Sequence, residues 1–457
     1  MSEPIISVSG LRGTIGDQLT PVVAARYVAA LATTLPKGSV VVARDGRESG
    51  AMLTQVILAT LAANGLNAID LGVAATPTVG IEVKEHAAVA GVQISASHNP
   101  RQYNGIKLFG PDGRVLTKAK GEAVLAAYAE NRAGWVSVDD LGQITQCNDP
   151  HAAHLARVLA TVDVEGIRQR KLRVLLDSNH GAGSLLGSRL LEDLGCDVTL
   201  LGDLPNGKFA HTPEPIAENL TSVCSVIASG EFDVGFCQDP DADRLAVIDQ
   251  HGVFIGEELT LALCLLQALP ATASKGQVGN HRSTIVTNCA TSSLSRILAD
   301  RFGCSLKQSA VGEANVADLM IAENAVFGGE GNGGPIDPRV GLVRDSFVGM
   351  ARILDLLTTS GLSVSELVAS LPPLAMAKDK MTISTNCLPG LFDALTVGMP
   401  GAQASEPDGL KLDWGDRWLL VRGSNTEPIV RFIAEAPTTS EAQSLCDAAR
   451  QVAQAMQ

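Results

Sequence analysis

Apolar residues recur along this chain in two alternating rhythms. In VVAARYVAALATTL they fall at helical spacing, and the preceding Thr20-Pro21 supplies a capping side chain with proline at the first helical position. KGSVVVARD is a short, continuously apolar run with the β-branched content of a buried strand. GAMLTQVILATLAANG returns to helical spacing and ends at Gly65, and NAIDLG and AVAGVQIS are again strand-like. Strands that alternate with helices predict a mostly parallel sheet.

The rhythm restarts twice. KLRVLLDSNHGAGS reads as a strand, a glycine-rich turn and a helix, and DVGFCQDPDADRLAVID closes that unit. STIVTNCATSSLSRILADRFG begins another. The last part differs: MTISTN, RWLLVRG and IVRFIAEA alternate like half-buried strands before a final helix, TSEAQSLCDAARQVAQAM. The predicted fold is α/β, with three similar α/β domains of mixed, mainly parallel sheets and a smaller C-terminal α+β domain. Boundaries are expected near residues 148, 250 and 370, giving domains over 1–148, 149–250, 251–370 and 371–457.

Length and composition agree. At roughly 100–200 residues per domain, 457 residues predict about three or four domains. A chain that is 46% hydrophobic and 18% charged can bury sizeable cores. The net charge of −14 repels nucleic acid and anionic membrane, so an anionic substrate needs a local basic pocket. The nine cysteines show no C-x-x-C and no zinc-like spacing, which reads as the reduced thiols of a cytoplasmic protein. MSEPIISVSG lacks a basic n-region and an apolar core, so no signal peptide is expected, and no apolar run reaches bilayer length.

Four polar clusters carry chemical content. Asp239, Asp241 and Asp243 stand at alternate positions after the buried run DVGFC. Three crowded carboxylates repel one another, and a hard cation such as Mg²⁺ keeps all three ionised; a solvated acidic turn is the plainer alternative. An EF-hand does not fit, because Arg244 and Gln250 stand where it needs Gly and Glu. RGSNTEP offers Ser424, Asn425 and Thr426 beside Arg422, with Arg431 beyond, a set able to grip phosphate. Its alternative, a Ser424/Glu427 capping box, conflicts with Pro428 and with the strand-like IVRFIAEA. SGLRGTIG places Arg12 between glycines in a predicted loop. GGEGNGGPIDP flanks Glu330 and Asn332 with glycines, as a flexible connector or as a loop offering a carboxylate and an amide to sugar hydroxyls.

Other polar residues read more plainly. His151 and His154 are ordinary helix residues, His180 belongs to a turn, and the cysteines are small core fillers. In QISASHNPRQYNGIKLFG, Asn99-Pro100 is expected to cap a helix. That would put Ser97 just before a helix N-terminus, where an anion is favoured; a plain turn is the alternative.

Taken in order, SASHNP, DPDADR, GGEGNGG and RGSNTEP resemble the phosphoserine, metal, sugar and phosphate loops of the α-D-phosphohexomutases, from Arg12 to Arg431. That family comprises phosphoglucomutases, phosphomannomutases and phosphoglucosamine mutases. The resemblance implies four domains around a central cleft. It implies a phosphoryl group on Ser97 and Mg²⁺ held by Asp239, Asp241, Asp243 and that phosphoserine. Arg12, His98, Lys107 and Arg244 would lie beside the transferring group. Arg422, Ser424, Asn425, Thr426 and Arg431 would hold the phosphate that is not reacting. A hexose 1,6-bisphosphate is the implied intermediate and activator. The implied enzyme is cytoplasmic, a monomer or homodimer, acting on a small phosphosugar.

The sequence also departs from the family pattern. Pro240 replaces a frequent Gly, Ser95 a frequent Thr and Asn425 a frequent Gly. The sugar loop has Asn332 in place of Ser and lacks the family's following His, leaving Glu330 and Asn332 as its sugar-reading pair. This form resembles archaeal-type phosphoglucosamine mutases and broad phosphohexomutases, which implies glucosamine phosphate first, then glucose and mannose phosphates. A haloacid-dehalogenase-like phosphatase, with Asp239 or Asp241 as nucleophile, would use the metal loop but leave SASHNP and RGSNTEP without a role. A phosphosugar-binding protein without turnover is a third reading.

Overall fold

The computed structural model describes residues 3–7, 10–273, 282–423 and 429–456. Among them the expected rhythm folds into four sheets. The first has the order Ile5–Ser7, Gly10–Thr14, Tyr103–Phe109, Ala90–Ile94, Ser39–Arg44, Asn67–Val73 and Ile144–Gln146. Its first three junctions are antiparallel and its last three parallel. The second runs Leu245–Ile248, Val234–Gln238, Arg173–Asp177 and Asp197–Leu201, with only its first junction antiparallel. The third runs Ser305–Ser309, Thr284–Asn288, Phe327–Glu330 and Gly334–Ile336, with only its last junction antiparallel. The fourth is antiparallel throughout: Ala375–Thr382, Ile429–Ala436, Trp418–Gly423, Leu410–Asp413 and Gln403–Ser405.

One topological device recurs. In each of the first three sheets a strand with a parallel neighbour turns straight into an antiparallel partner. Ala90–Ile94 turns into Tyr103–Phe109, Val234–Gln238 into Leu245–Ile248, and Phe327–Glu330 into Gly334–Ile336. These junctions are SASHNP, DPDADR and the glycine-rich GGEGNGG. Each therefore hangs from the carboxyl end of a fully buried strand, the end at which α/β sheets bind ligands.

Local signals explain the helices. Thr20 caps Pro21–Thr33 through its hydroxyl, and Glu48–Ala63 gives way to Gly65 at φ +76°. Asp345 caps the buried helix Ser346–Ser360 by accepting from the Phe347 and Val348 N–H groups. One hydrophobic core runs without a break from Leu155 through Phe236 and Leu261 to Leu371, so the second and third sheets share it. The C-terminal sheet has its own core, around Leu391, Phe432 and Cys446. Among the described residues no helix is long and apolar enough to cross a membrane.

Two expectations fail locally. No helix follows Asn99-Pro100: Tyr103 N–H donates to Pro100 C=O at 3.0 Å, and the chain turns directly into strand Tyr103–Phe109. The Asn99 side chain accepts from Arg12 Nη1 at 3.0 Å instead of capping. Arg12 itself lies in strand Gly10–Thr14, opposite Gly105, rather than in a loop. Its flanking glycines admit close backbone packing, since a Cβ on Gly10 would sit 2.2 Å from Ile106 C=O.

Candidate active site

Ser97 is buried at 4% exposure and adopts φ +49°, a left-handed conformation that costs a non-glycine residue about 1–2 kcal/mol. Arg47, 1% exposed, holds it there. Its guanidinium donates to the carbonyls of Ser97 (2.5 Å), Asn99 (2.6 Å), Pro100 (2.9 Å) and Tyr103 (3.2 Å), and to Asp45 Oδ2 (3.0 Å). Asp45 also accepts from Ser95 Oγ at 2.6 Å, and Ser95 Oγ in turn accepts from Ser97 N–H at 2.9 Å. The turn is thus fixed by a buried ion pair, and the Ser97 hydroxyl is left pointing at the second sheet.

There Ser97 Oγ donates to Asp239 Oδ2 at 2.9 Å. Asp239, Asp241 and Asp243 are fully buried, and one oxygen of each lies within 4.8 Å of the others. Asp241 Oδ2 accepts from Thr76 Oγ1 (2.5 Å) and Lys107 Nζ (2.9 Å), and Asp243 Oδ2 from Lys107 Nζ (3.2 Å) and Arg344 Nη2 (2.6 Å). The other oxygens, Oδ1 of Asp241 and of Asp243, are buried without a hydrogen-bond partner. Unsatisfied buried carboxylate oxygens are costly, and three converging carboxylates suit a hard divalent cation. The residues fit such an ion.

The charges divide accordingly. Burial, reinforced by Asp241 and Asp243, raises Asp239 well above the carboxylate range. Burial works the same way on Asp241 but is outweighed by Lys107 and Thr76, which leave it low. Burial pulls Lys107 down, yet Asp241 and Asp243 hold it above its ordinary value. On the Ser97 side, burial and then Arg244 and Arg12 pull the His98 imidazole down to about 3, so it is neutral. His98 Nδ1 lies 3.4 Å from Ser97 Oγ. Arg12 is lowered by burial and by Arg47 and Arg244 nearby, against the opposing pull of Asp241 and Asp243, so three guanidinium groups crowd the edge of the acidic cluster.

Glu330 is 4% exposed. Its Oε1 accepts from Asn288 Nδ2 (2.8 Å) and Gly312 N–H (3.2 Å), and its Oε2 from Arg344 Nη1 (3.1 Å) and Asn332 Nδ2 (3.4 Å). The loop that carries it is a tight hairpin rather than a flexible connector, with Glu330 paired to Gly334. Arg422 and Arg431 face each other across neighbouring strands, and Arg422 Nε donates to Asp408 Oδ2 at 2.7 Å. Ser424, Asn425 and Thr426 lie outside the described residues.

The structure therefore gathers Ser97, His98, Arg12, Lys107, Asp239, Asp241, Asp243 and Arg244 in one place and ties Glu330 and Asn332 to them through Arg344. Arg422 and Arg431 share no hydrogen bond or ion pair with that group among the described residues. Sequence reading missed Arg47, Thr76 and Arg344. The only available signal was weak: Asp45-x-Arg47 just past a strand, and Arg344 just before a helix cap. His180 does sit in a turn, at φ +57°. His154 is more than a helix residue. Its two ring nitrogens bridge Thr78 Oγ1 (2.9 Å) and Asp345 Oδ2 (2.8 Å), and it is wholly buried.

Comparison with known proteins agrees with this architecture. Four models of the phosphoglucomutase/phosphomannomutase family match in chain order: alpha/beta/alpha domain I over residues 5–134, domain II over 150–252, domain III over 260–374 and the C-terminal domain over 389–452. A phosphoglucomutase/phosphomannomutase of Thermococcus kodakarensis is 35% identical over 445 residues, 95% of each chain. A probable phosphoglucosamine mutase of Methanopyrus kandleri is 31% identical over 442 residues, 96% of this chain and 95% of that one. The crystal structure of a putative phosphomannomutase from Thermus thermophilus superposes with a TM-score of 0.84 at 25% identity, covering 99% of this chain and 100% of that one. With the loops, the sheets and the relatives in agreement along the whole chain, this protein belongs to the phosphoglucomutase/phosphomannomutase family of phosphohexomutases, which are isomerases.

Proposed function

We propose that this enzyme interconverts hexose 1-phosphate and hexose 6-phosphate through a phosphorylated Ser97 and a 1,6-bisphosphate, with glucosamine phosphate as the preferred sugar. The observation that carries the reading is the 2.9 Å contact between Ser97 Oγ and Asp239, at the point where the cation-rich and carboxylate-rich faces meet.

Asp239, Asp241, Asp243 and the phosphoserine would hold Mg²⁺, which when bound supplies positive charge to the phosphoryl oxygens. Arg12 and Arg244 stabilise the charge that spreads over the phosphoryl group as it leaves Ser97 Oγ for the sugar hydroxyl. Lys107 stays protonated between Asp241 and Asp243 and adds charge on the other side. Neutral His98 can hold a proton at Ser97 Oγ when that oxygen is free. Glu330 and Asn332 read the sugar hydroxyls. Arg422, Ser424, Asn425, Thr426 and Arg431 grip the second phosphate. Two arginines directly opposed across strands repel each other, and a shared phosphate relieves that repulsion. The bisphosphate must turn over before its other phosphate returns to Ser97, and a remote phosphate grip serves either end of the sugar.

A second reading, broad action on glucose and mannose phosphates, is favoured by the Thermococcus relative that carries both names. ³¹P NMR with the 1-phosphates of glucosamine, glucose and mannose, Mg²⁺ and a trace of the matching 1,6-bisphosphate tests both. Conversion to 6-phosphate is expected, fastest with glucosamine; equal rates would favour the broad reading. Accumulating inorganic phosphate would mark a phosphatase and return Ser97 to a structural turn.

A further inference from the structure

Helix Thr76–Glu85 meets the candidate active site at its first residue, where Thr76 N–H donates to Asp241 C=O at 2.9 Å and Thr76 Oγ1 to its carboxylate. At 1.5 Å per residue the other end lies about 15 Å away. There Glu82 and the C-cap residue His86, four apart and so on one face, approach to 3.2 Å between Oε2 and Nε2. A third donor comes from another part of the chain. Cys147 follows strand Ile144–Gln146, and its N–H donates to Asp70 C=O at 2.9 Å, which fixes the residue against the sheet edge. One ligand atom each from Glu82, His86 and Cys147 lies within 4.8 Å of the other two.

The three differ in burial in a useful way. The Glu82 side chain is 4% exposed and that of His86 33%, so the cluster has a buried carboxylate at its base and an imidazole open to solvent. Its surroundings are net acidic: Glu85 and Asp149 lie near Glu82, and the nearby cation, Arg157, is hydrogen-bonded to Glu85 and to Val340 C=O. The donors are one oxygen, one nitrogen and one sulfur. That set is unsuited to Mg²⁺, which takes oxygen alone, and suits Zn²⁺. Metal–ligand bonds of about 2.0–2.3 Å put tetrahedral ligands roughly 3.3–3.8 Å apart. Small side-chain rotations close the difference, and the exposed side leaves room for a water as fourth ligand.

We propose that Glu82, His86 and Cys147 form a second metal site, one that takes a thiophilic divalent cation of the Zn²⁺ class. As the metal–Sγ bond forms, the Cys147 thiol proton passes to solvent; Glu82 and His86 bind through unprotonated atoms. The bound ion ties the last turn of helix Thr76–Glu85 to the segment that leads from the first sheet into helix Ala152–Leu159. The competing account is a helix ion pair with a thiol beside it by chance.

Co²⁺ titrated into the metal-free full-length protein separates the two accounts, because a thiolate ligand gives a near-ultraviolet charge-transfer band that an all-oxygen site cannot give. The band is expected in the wild type and in Asp241→Asn, absent in Cys147→Ser, and displaced by one equivalent of Zn²⁺. His86→Ala, at an exposed position, should bind at least about tenfold more weakly. No band in the wild type, or a band that persists in Cys147→Ser, overturns the site. Alkylation provides a check that needs no variant: Zn²⁺ should slow labelling of Cys147 but not of the likewise half-buried Cys196, Cys224 and Cys387. Equal labelling of Cys147 with and without Zn²⁺ would also overturn it.

Discussion

Arg344 Nη2 donates to Asp243 Oδ2 at 2.6 Å while its Nη1 holds Glu330 at 3.1 Å, so one buried guanidinium joins the DPDADR loop to the glycine-rich GGEGNGG loop. Glu313 completes its surroundings by accepting from the Arg344 N–H at 2.7 Å. Removing that charge takes the guanidinium from two buried carboxylates, leaving, among the described residues, Asp243 hydrogen-bonded to one side-chain cation, Lys107, and Glu330 to none. Arg344→Met is expected to lose about 3–5 kcal/mol of stability by denaturant titration. Arg344→Lys retains the charge but cannot reach both loops in a planar fork. It should keep the fold, raise the Mg²⁺ concentration for half-activation, and shift the ratio of kcat/KM among the hexose phosphates. A Lys variant with unchanged metal and sugar profiles would confine Arg344 to a structural role.

Ser97→Ala is expected to fold normally, because Arg47 grips the turn through backbone carbonyls that the substitution leaves in place. Mutase turnover should fall by roughly 10³-fold or more, since among the described residues the Ser97 hydroxyl is the one hydrogen-bonded to Asp239. Residual turnover near wild type would remove the phosphoserine from the cycle.

Lys107 Nζ lies 2.9 Å from Asp241 Oδ2 and 3.2 Å from Asp243 Oδ2, so a cation held by these carboxylates would compete with it. Lys107→Met should therefore bind Mg²⁺ more tightly and yet turn over more slowly. Asp241→Asn should bind Mg²⁺ more weakly and also turn over more slowly. Isothermal titration with Mg²⁺ beside steady-state rates reads both. Affinities that move the same way in the two variants would break the competition.

Glu258, whose carboxylate packs against Gly331 between Glu330 and Asn332, is expected to give the stability a pH dependence. Burial pushes its carboxyl up to about 8, against the opposing pull of Lys378 and the Ser292 N–H. A raised folded value means that the native state holds a proton the unfolded chain has already lost. The contribution is complete below the ordinary glutamate range and disappears as pH rises through about 8. Urea midpoints of the wild type should fall over that interval, and those of Glu258→Gln should fall less. Parallel curves for the two proteins would exclude Glu258 as the cause.

The rhythm of apolar runs was enough to read three α/β units and a smaller α+β fourth, because runs such as SVVVAR are short, continuous and β-branched and helices such as Pro21–Thr33 carry a side-chain cap. The site was legible where chemistry is concentrated in adjacent residues, as in DPDAD. It was not legible where a partner comes from far along the chain. Arg47 and Arg344 look like surface arginines in sequence, and only the fold shows them buried against Asp45 and Asp243. The helix expected at Pro100 failed for a related reason. Asn99-Pro100 is a sound local start signal, but Arg47 claims the carbonyls of both residues and the strand that begins at Tyr103 claims the chain.

The core shared by the second and third sheets, set against the separate core of the fourth, has a consequence for how the protein comes apart. Residues Leu155 to Leu371 bury one another, so neither unit can open without wetting the other. The fourth unit meets the third through a small apolar contact, Cys289 with Trp418 and Leu420, and through polar links such as Lys411 to Cys289 C=O at 2.8 Å. Melting should begin there. A native-state population in which only the C-terminal unit has detached would have amides that exchange early, a chain open to protease near residue 371, and an otherwise intact body that still carries Ser97 and its three aspartates.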